Sequence, residues 1–263
     1  MYDLSEELKV AQQAARKAGE KIIEIYDSDS YDLKKKDDDS PVTKADLAAN
    51  KIIMDILKEN FPDDGFLTEE EKDSKERLSK ERVWIIDPLD GTKDFLAKND
   101  EFTVNIALVV AQEPVMGVIY CPVKKELFSA VKGQGSFKDG LKINVSDKKE
   151  DLILLRSRNH PTTGLLELIK NENLSVLVVG SSLKGCLLAE GKADAYLRFG
   201  SQSEWDICAM SIIIEEAGGK ITSPEGKPLK FNQENTRIHG FLASNNKIHD
   251  ELLKLHNLYK PLE

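Results

Sequence analysis

The segment VWIIDPLDGTKDF, Val83 to Phe95, decides how this chain is read. Its apolar opening, Val83-Trp84-Ile85-Ile86, predicts a buried strand. The strand is expected to break at Asp87-Pro88 and to present a second carboxylate, Asp90, ahead of Gly91-Thr92. At about 4 Å and an effective dielectric near 20, two such carboxylates repel by on the order of 4 kcal/mol. A divalent cation removes that penalty, and magnesium suits a site of few hard oxygen ligands completed by water and phosphate. Gly91 and Thr92 can offer backbone N–H groups to an anion. The segment therefore points to a metal-dependent phosphate-ester site.

The rest of the composition is compatible with this. A chain of 263 residues, 40% hydrophobic and 32% charged, can bury a sizeable core as one large domain or two ordinary ones. A net charge of −9 argues against a nucleic-acid polymer as partner, because backbone phosphates require a basic face. It leaves room for a small phosphorylated ligand. Cys121, Cys186 and Cys208 are odd in number and widely spaced, with no CxxC, which favours a reducing compartment over disulfides or zinc. The N-terminus is charged and helix-like, and no run reaches the roughly 20 apolar residues that span a bilayer. The expectation is a cytoplasmic protein, with no integral membrane segment, as a monomer or homodimer.

Leu4, Leu8, Ala11, Ala15, Ala18 and Ile22 recur at helical steps, so the chain opens with an amphipathic helix. Asp27–Ser40 is charged and turn-prone. Solvation explains it as a loop, and the functional alternative is a flap carrying Lys34–Lys36 towards an anion. A second helix follows Pro41 and ends near Asn60, and Thr43 to Asp46 has capping-box spacing. Phe102–Val110, Pro114–Cys121 and Lys125–Val131 predict successive strands, with a hairpin turn at Gly133–Gly135. Beyond a charged stretch at Asp147–Asp151 the pattern becomes strand–helix alternation: strands at Leu152–Leu155, Val176–Val179 and Ala195–Phe199, helices at Thr163–Lys170, Ser182–Glu190 and Ile207–Ala217. This predicts an α+β half, 1–148, and an α/β half of largely parallel strands, 149–263.

Two more places can carry chemistry. Asp206 opens a buried helix, where the dipole favours a carboxylate, so it is either a simple N-cap or a ligand. Gly180-Ser181-Ser182-Leu183-Lys184 lies between a strand and a helix and suits an anion. Arg198, near the end of a strand, is a further cation. The four histidines have no zinc spacing, and GxSxG, GxxxxGK[ST] and the partners of an S-x-x-K acylating serine are absent.

Asp87–Thr92 with Phe95, Glu69-Glu70 upstream, and Trp205-Asp206 leading into Glu216-Ala217-Gly218-Gly219 resemble the magnesium-dependent, lithium-sensitive phosphatases of the inositol monophosphatase superfamily. The likeness runs from Leu4 to about Ser244. Ser157–His160, Gly180–Lys184 and Ala189–Phe199 resemble its 3'(2'),5'-bisphosphate nucleotidase branch, and Phe199 stands where inositol monophosphatases generally carry an acid. The resemblance implies a layered αβαβα sandwich, an α/β fold of the inositol monophosphatase and sugar phosphatase type. It implies two or three Mg2+ ions held by Glu69, Asp87, Asp90, Asp206 and the Leu89 carbonyl. Asp46, Glu70 and Thr92 would orient or deprotonate the attacking water, and Gly91 and Thr92 would bind the scissile phosphate together with Leu89, Asp90 and Asp206. Ser181, Lys184, Arg198 and His160 would hold the other phosphate or the sugar. Thr236–Ser244 departs from the pattern, lacking Asn-Pro before Gly240, which leaves base contacts from that segment open.

The implied activity is metal-assisted hydrolysis of the 3'-phosphate of adenosine 3',5'-bisphosphate, and of its sulfated form. The alternatives are an inositol-phosphate or sugar-bisphosphate phosphatase on the same fold, or a non-catalytic phosphonucleotide-binding protein.

Overall fold

The structure, a computed structural model, describes residues 3–28, 34–35, 41–159, 162–172 and 174–259. Helix α1 (Ser5–Ser28) buries Val10, Ala11, Ala14, Ala15, Ala18 and Ile22 on one stripe. Lys34–Lys35 (β1) pairs antiparallel with Pro41–Val42 (β2); the rest of the Asp27–Ser40 loop and its flap alternative lie largely outside the described residues. Helix α2 (Lys44–Asn60) starts at the expected capping box, with Thr43 as N-cap and Asp46 reaching back to it. There follow β3 (Gly65–Thr68), β4 (Arg82–Asp90), the short α3 (Thr92–Leu96), β5 (Thr103–Val110), β6 (Glu113–Cys121), β7 (Glu126–Val131), β8 (Gly135–Lys138) and β9 (Leu141–Ile143). The second part comprises β10 (Ile153–Ser157), α4 (Thr163–Asn171), β11 (Ser175–Val179), α5 (Leu183–Ala189), β12 (Ala195–Ser203), α6 (Glu204–Glu216), β13 (Lys220–Thr222), β14 (Arg237–Ser244) and α7 (His249–Tyr259).

Among the described residues, β3 to β9 form a seven-stranded sheet in chain order, parallel at β3–β4 and antiparallel elsewhere. The second sheet has the order β11-β10-β12-β14-β13. The three strands expected to be parallel are parallel, and the departure is β14. β10 runs parallel to β11 and β12, but β14 is antiparallel to both β12 and β13. The chain leaves α6 for the sheet edge and returns beside it without a crossover helix, and such a return runs antiparallel.

The layers follow from side-chain alternation. Along β4, Trp84 and Ile86 pack under α1 and α2, while Val83 and Ile85 face α5 and α6. Both faces are covered, which is why this strand reads as an unbroken apolar run. Leu155, Tyr196, Phe241 and Ala243 of the second sheet close on α5 and α6 from the other side. Its outer face, with Leu154, Leu197 and Leu242, carries α4 and α7. The result is the αβαβα sandwich. α6 is its central helix and is buried nearly all round, so its sequence shows little amphipathic stripe. It rests directly on β6 at Gly117, where a Cβ would lie 2.5 Å from Ile212 Cγ2 and 2.7 Å from the Ala209 carbonyl.

Candidate active site

The expected break after Ile86 does not occur. β4 continues to Asp90 through an irregularity in its pairing, Asp87 facing Asn105 and Asp90 facing Thr103. Pro88, which has no N–H for the ladder, sits inside this bulge, and the bulge re-aims the two acids. Asp87 and Asp90 thus come from one bulged strand, and Asp206 comes from the first turn of α6. One carboxylate oxygen from each of the three lies within 4.8 Å of the others.

The protein holds one oxygen of each acid. Asp87 Oδ1 accepts from the Leu89 N–H at 3.0 Å, while Asp87 Oδ2 is buried without a hydrogen-bond partner. Asp90 Oδ2 accepts from Ser182 Oγ at 2.6 Å, Ser182 Oγ accepts from Asn105 Nδ2 at 2.9 Å, and Asn105 Oδ1 accepts from Thr103 Oγ at 2.9 Å. Asp206 Oδ2 accepts from the Ser203 N–H at 2.9 Å. Asp206 is therefore not the N-cap of α6. Ser203 is the cap, Asp206 is the third helical residue of a capping box, and α6 begins at Glu204 rather than Ile207.

Burial, then the charges of Glu69, Asp90 and Asp206, push the Asp87 carboxyl well above the usual carboxylate range. Desolvation, then Asp90 and Glu69, push Asp206 up to about 8. An orphaned buried oxygen, three converging carboxylates and mutual repulsion fit a hard divalent cation, which would satisfy the first and cancel the last. Among the described residues, this trio is the group of acids close enough to share an ion.

A second capping box faces the same place. Asp46 Oδ2 accepts from the Thr43 N–H at 2.8 Å and Oγ at 2.6 Å, and its Oδ1 accepts from Thr92 Oγ at 3.1 Å. Burial raises the Asp46 pKa against these hydrogen bonds. Thr92 Oγ also lies 3.4 Å from the Leu89 carbonyl.

A cavity of about 410 Å³ collects these groups. Glu69, Asp87, Leu89, Asp90, Gly91, Thr92 and Asp206 line it, and so do Ser181, Lys184 and Arg198. Asp46 stands behind Thr92, and Glu70 acts on Asp87 through its charge; neither lines the cavity. His160 lies outside the described residues. Lys184 is buried, its ammonium donating to the Ser181 carbonyl and lying 5.4 Å from the centre of the Tyr196 ring. Burial pulls its pKa down, and Asp90 opposes that shift. Ser181 takes a left-handed φ of 45°, a strained turn held because Glu101 accepts from the Gly180 N–H at 2.7 Å and is itself held by Arg158. Phe199 does not face the cavity. It lies on the other side of β12, stacked on His256 with ring centres 4.2 Å apart, so its bearing on substrate choice is indirect.

Ser182, Asn105 and Thr43 do their work beside residues that were picked from the sequence. A lone Asn within FTVNIALVV, a strand covered on both faces, is a legible signal, because a buried amide requires a partner. Arg237, Gln202 and Ser201 also line the cavity and were not anticipated.

Comparison with known proteins agrees with this geometry. The profile of the inositol monophosphatase family matches residues 3–258. The 3'(2'),5'-bisphosphate nucleotidase CysQ of Escherichia coli K12 is 40% identical over 239 residues, 88% of this chain and 97% of the relative. An inositol monophosphatase of Mesembryanthemum crystallinum is 35% identical over 265 residues, 95% of this chain and 96% of that protein. Among solved structures, CysQ of Bacteroides thetaiotaomicron, a bacterial member of the inositol monophosphatase family, superposes with a TM-score of 0.79 at 38% identity, covering 92% of this chain and 98% of that one.

Proposed function

The chain belongs to the inositol monophosphatase family, and we propose that it is a magnesium-dependent 3'(2'),5'-bisphosphate nucleotidase that removes the 3'-phosphate of adenosine 3',5'-bisphosphate. The observation that carries the choice of substrate is that one cavity is lined by both carboxylates and cations. Lys184 and Arg198 sit in the same space as the carboxylate group, and a substrate with a second anion uses both. The naming of relatives as bisphosphate nucleotidases over 88% of the chain supports the same choice.

Asp87, Asp90 and Asp206, with Glu69 and the Leu89 carbonyl at the cavity wall, would hold the magnesium. When bound, the metal supplies Lewis acidity that neutralises phosphate charge and makes water a stronger nucleophile. The remaining chemistry belongs to the chain. The Thr92 hydroxyl directs its proton to Asp46 Oδ1, so its oxygen lone pairs are left to accept a proton from an attacking water. Asp46, with its pKa raised by burial, is a fitting final acceptor. Ser182 and Asn105 hold Asp90 in one orientation, and the α6 capping box does the same for Asp206. Ser181, Lys184 and Arg198 take the distal phosphate, with His160 assigned to the same end by resemblance. The three cysteines are unpaired and buried, in keeping with the cytoplasmic placement we propose. Among the described residues no helix is long and apolar enough to cross a membrane.

The test is turnover of adenosine 3',5'-bisphosphate and inositol 1-phosphate side by side with magnesium. A clear preference for the nucleotide is expected, and a preference for inositol phosphate overturns the assignment. Binding without phosphate release under any divalent metal would make the protein a non-catalytic binder.

A further inference from the structure

We propose that Gln202 and Arg237 form a nucleobase subsite on the wall of this cavity; the inference rests on the bisphosphate-nucleotidase reading above. A regular strand sends successive side chains to opposite faces, so it lines a cavity with every second residue. β12 does not. Its pairing with β14 slips between Arg198 and Ser201, and beyond the slip Ser201, Gln202 and Ser203 all line the cavity. Gly240 on β14 makes room for the slip: it adopts a φ of 76°, and a Cβ there would lie 2.8 Å from the Arg198 carbonyl. Beyond the slip the pairing is regular again, and this polar end of β12 lies along the cavity wall.

That wall runs from Arg198 to the start of α6, where Asp206 joins the carboxylates. A nucleotide with one phosphate at the carboxylates and the other at Arg198 would lay its sugar along this stretch, with the base directed to its side. Ser201 Oγ and Gln202 Oε1 are buried atoms with no hydrogen-bond partner in the protein. Their partners must come from whatever fills the cavity, water or substrate. Gln202 carries an uncharged amide, acceptor and donor together, which matches the edge of a nucleobase better than a phosphate. Arg237 is paired with Ser203 across the two strands, and its Nη1 donates to Ser203 Oγ at 3.0 Å. Its exposed, planar guanidinium at the mouth suits stacking on a base. The segment that lacks the expected Asn-Pro therefore still reaches the substrate, through a different side chain.

The experiment compares kcat/KM for adenosine 3',5'-bisphosphate and for its base-free analogue, methyl riboside 3,5-bisphosphate, in the wild type, Gln202→Leu and Arg237→Met. The ratio of the two constants does not depend on how much of a variant is folded. The wild type is expected to prefer the nucleotide. That preference should drop by about tenfold in Gln202→Leu, for one lost amide contact. In Arg237→Met it should drop roughly fivefold, for a lost stacking contact. A wild-type preference retained in both variants overturns the subsite. Equal use of the two compounds by the wild type overturns it too, while leaving the nucleotidase reading intact. If the wild type instead prefers inositol 1-phosphate to both, the nucleotidase reading itself has failed.

Discussion

Asp87 Oδ2 is the atom on which the site turns. It is buried and unpartnered, and its carboxyl feels the charge of four other acids, so the carboxylate is costly until a cation arrives. Asp87→Asn should lower turnover by more than about a thousandfold, because a principal ligand of the proposed metal is lost. The same change should raise the thermal midpoint of the metal-free protein, because it removes buried repulsion. Calorimetry in chelator together with a phosphate-release assay checks both halves, and unchanged activity sinks the assignment. Asp46→Asn should cost roughly 10²–10⁴-fold in kcat, with KM little changed, if Asp46 receives a proton through Thr92. The acids were legible in sequence because DPLDGT is local. Ser182 and Asn105 were not, because their role exists only once α5 and β5 meet beside Asp90.

Among the elements, α6 sets the precision of the site, since Asp206 goes where this helix goes. Gly117→Ala should push α6 off β6, costing about 1–3 kcal/mol by overpacking and weakening magnesium binding along with stability. Denaturant unfolding and direct metal titration read the two effects. A second constraint reaches α6 from the loop after Glu69. Arg77 is buried, binding Asp73, the Asn232 side chain at 2.5 Å and the Gln233 carbonyl at 2.9 Å. The N–H groups of Asn232 and Gln233 in turn donate to Glu204, at the first turn of α6. Arg77→Met, which leaves those partners unmatched, should cost on the order of 3 kcal/mol in the same unfolding measurement. Most helices and strands could be read from periodicity and caps. The direction of β14 and the bulge in β4 could not, since both depend on which strand lies alongside rather than on any local pattern.

At the scale of the whole molecule, the buried acids make stability depend on pH. Asp87 and Asp206 have raised folded-state pKa values, so at intermediate pH the native protein holds protons that the unfolded chain has released. Their contribution is complete below the ordinary carboxylate range and is lost as pH rises, for Asp206 through about 8. His249, whose ring burial lowers to about 4, works the other way and loses stability below its unfolded value near 6.5. A comparison of about pH 6.5 with about pH 8.5 leaves His249 out: the midpoint in chelator should fall with rising pH, and saturating magnesium should narrow the gap, Glu204, raised by burial to about 7, keeping the remainder. The burial of α6 between two sheets also divides the carboxylate cage by mobility. Its backbone amides can reach solvent only when the layers separate, so they should exchange deuterium on the timescale of global unfolding. Amides at 69–75, in a surface loop, should exchange through local opening. One wall of the proposed cage should then be fixed while the other yields, and slower exchange at 69–75 than in α6 overturns this division.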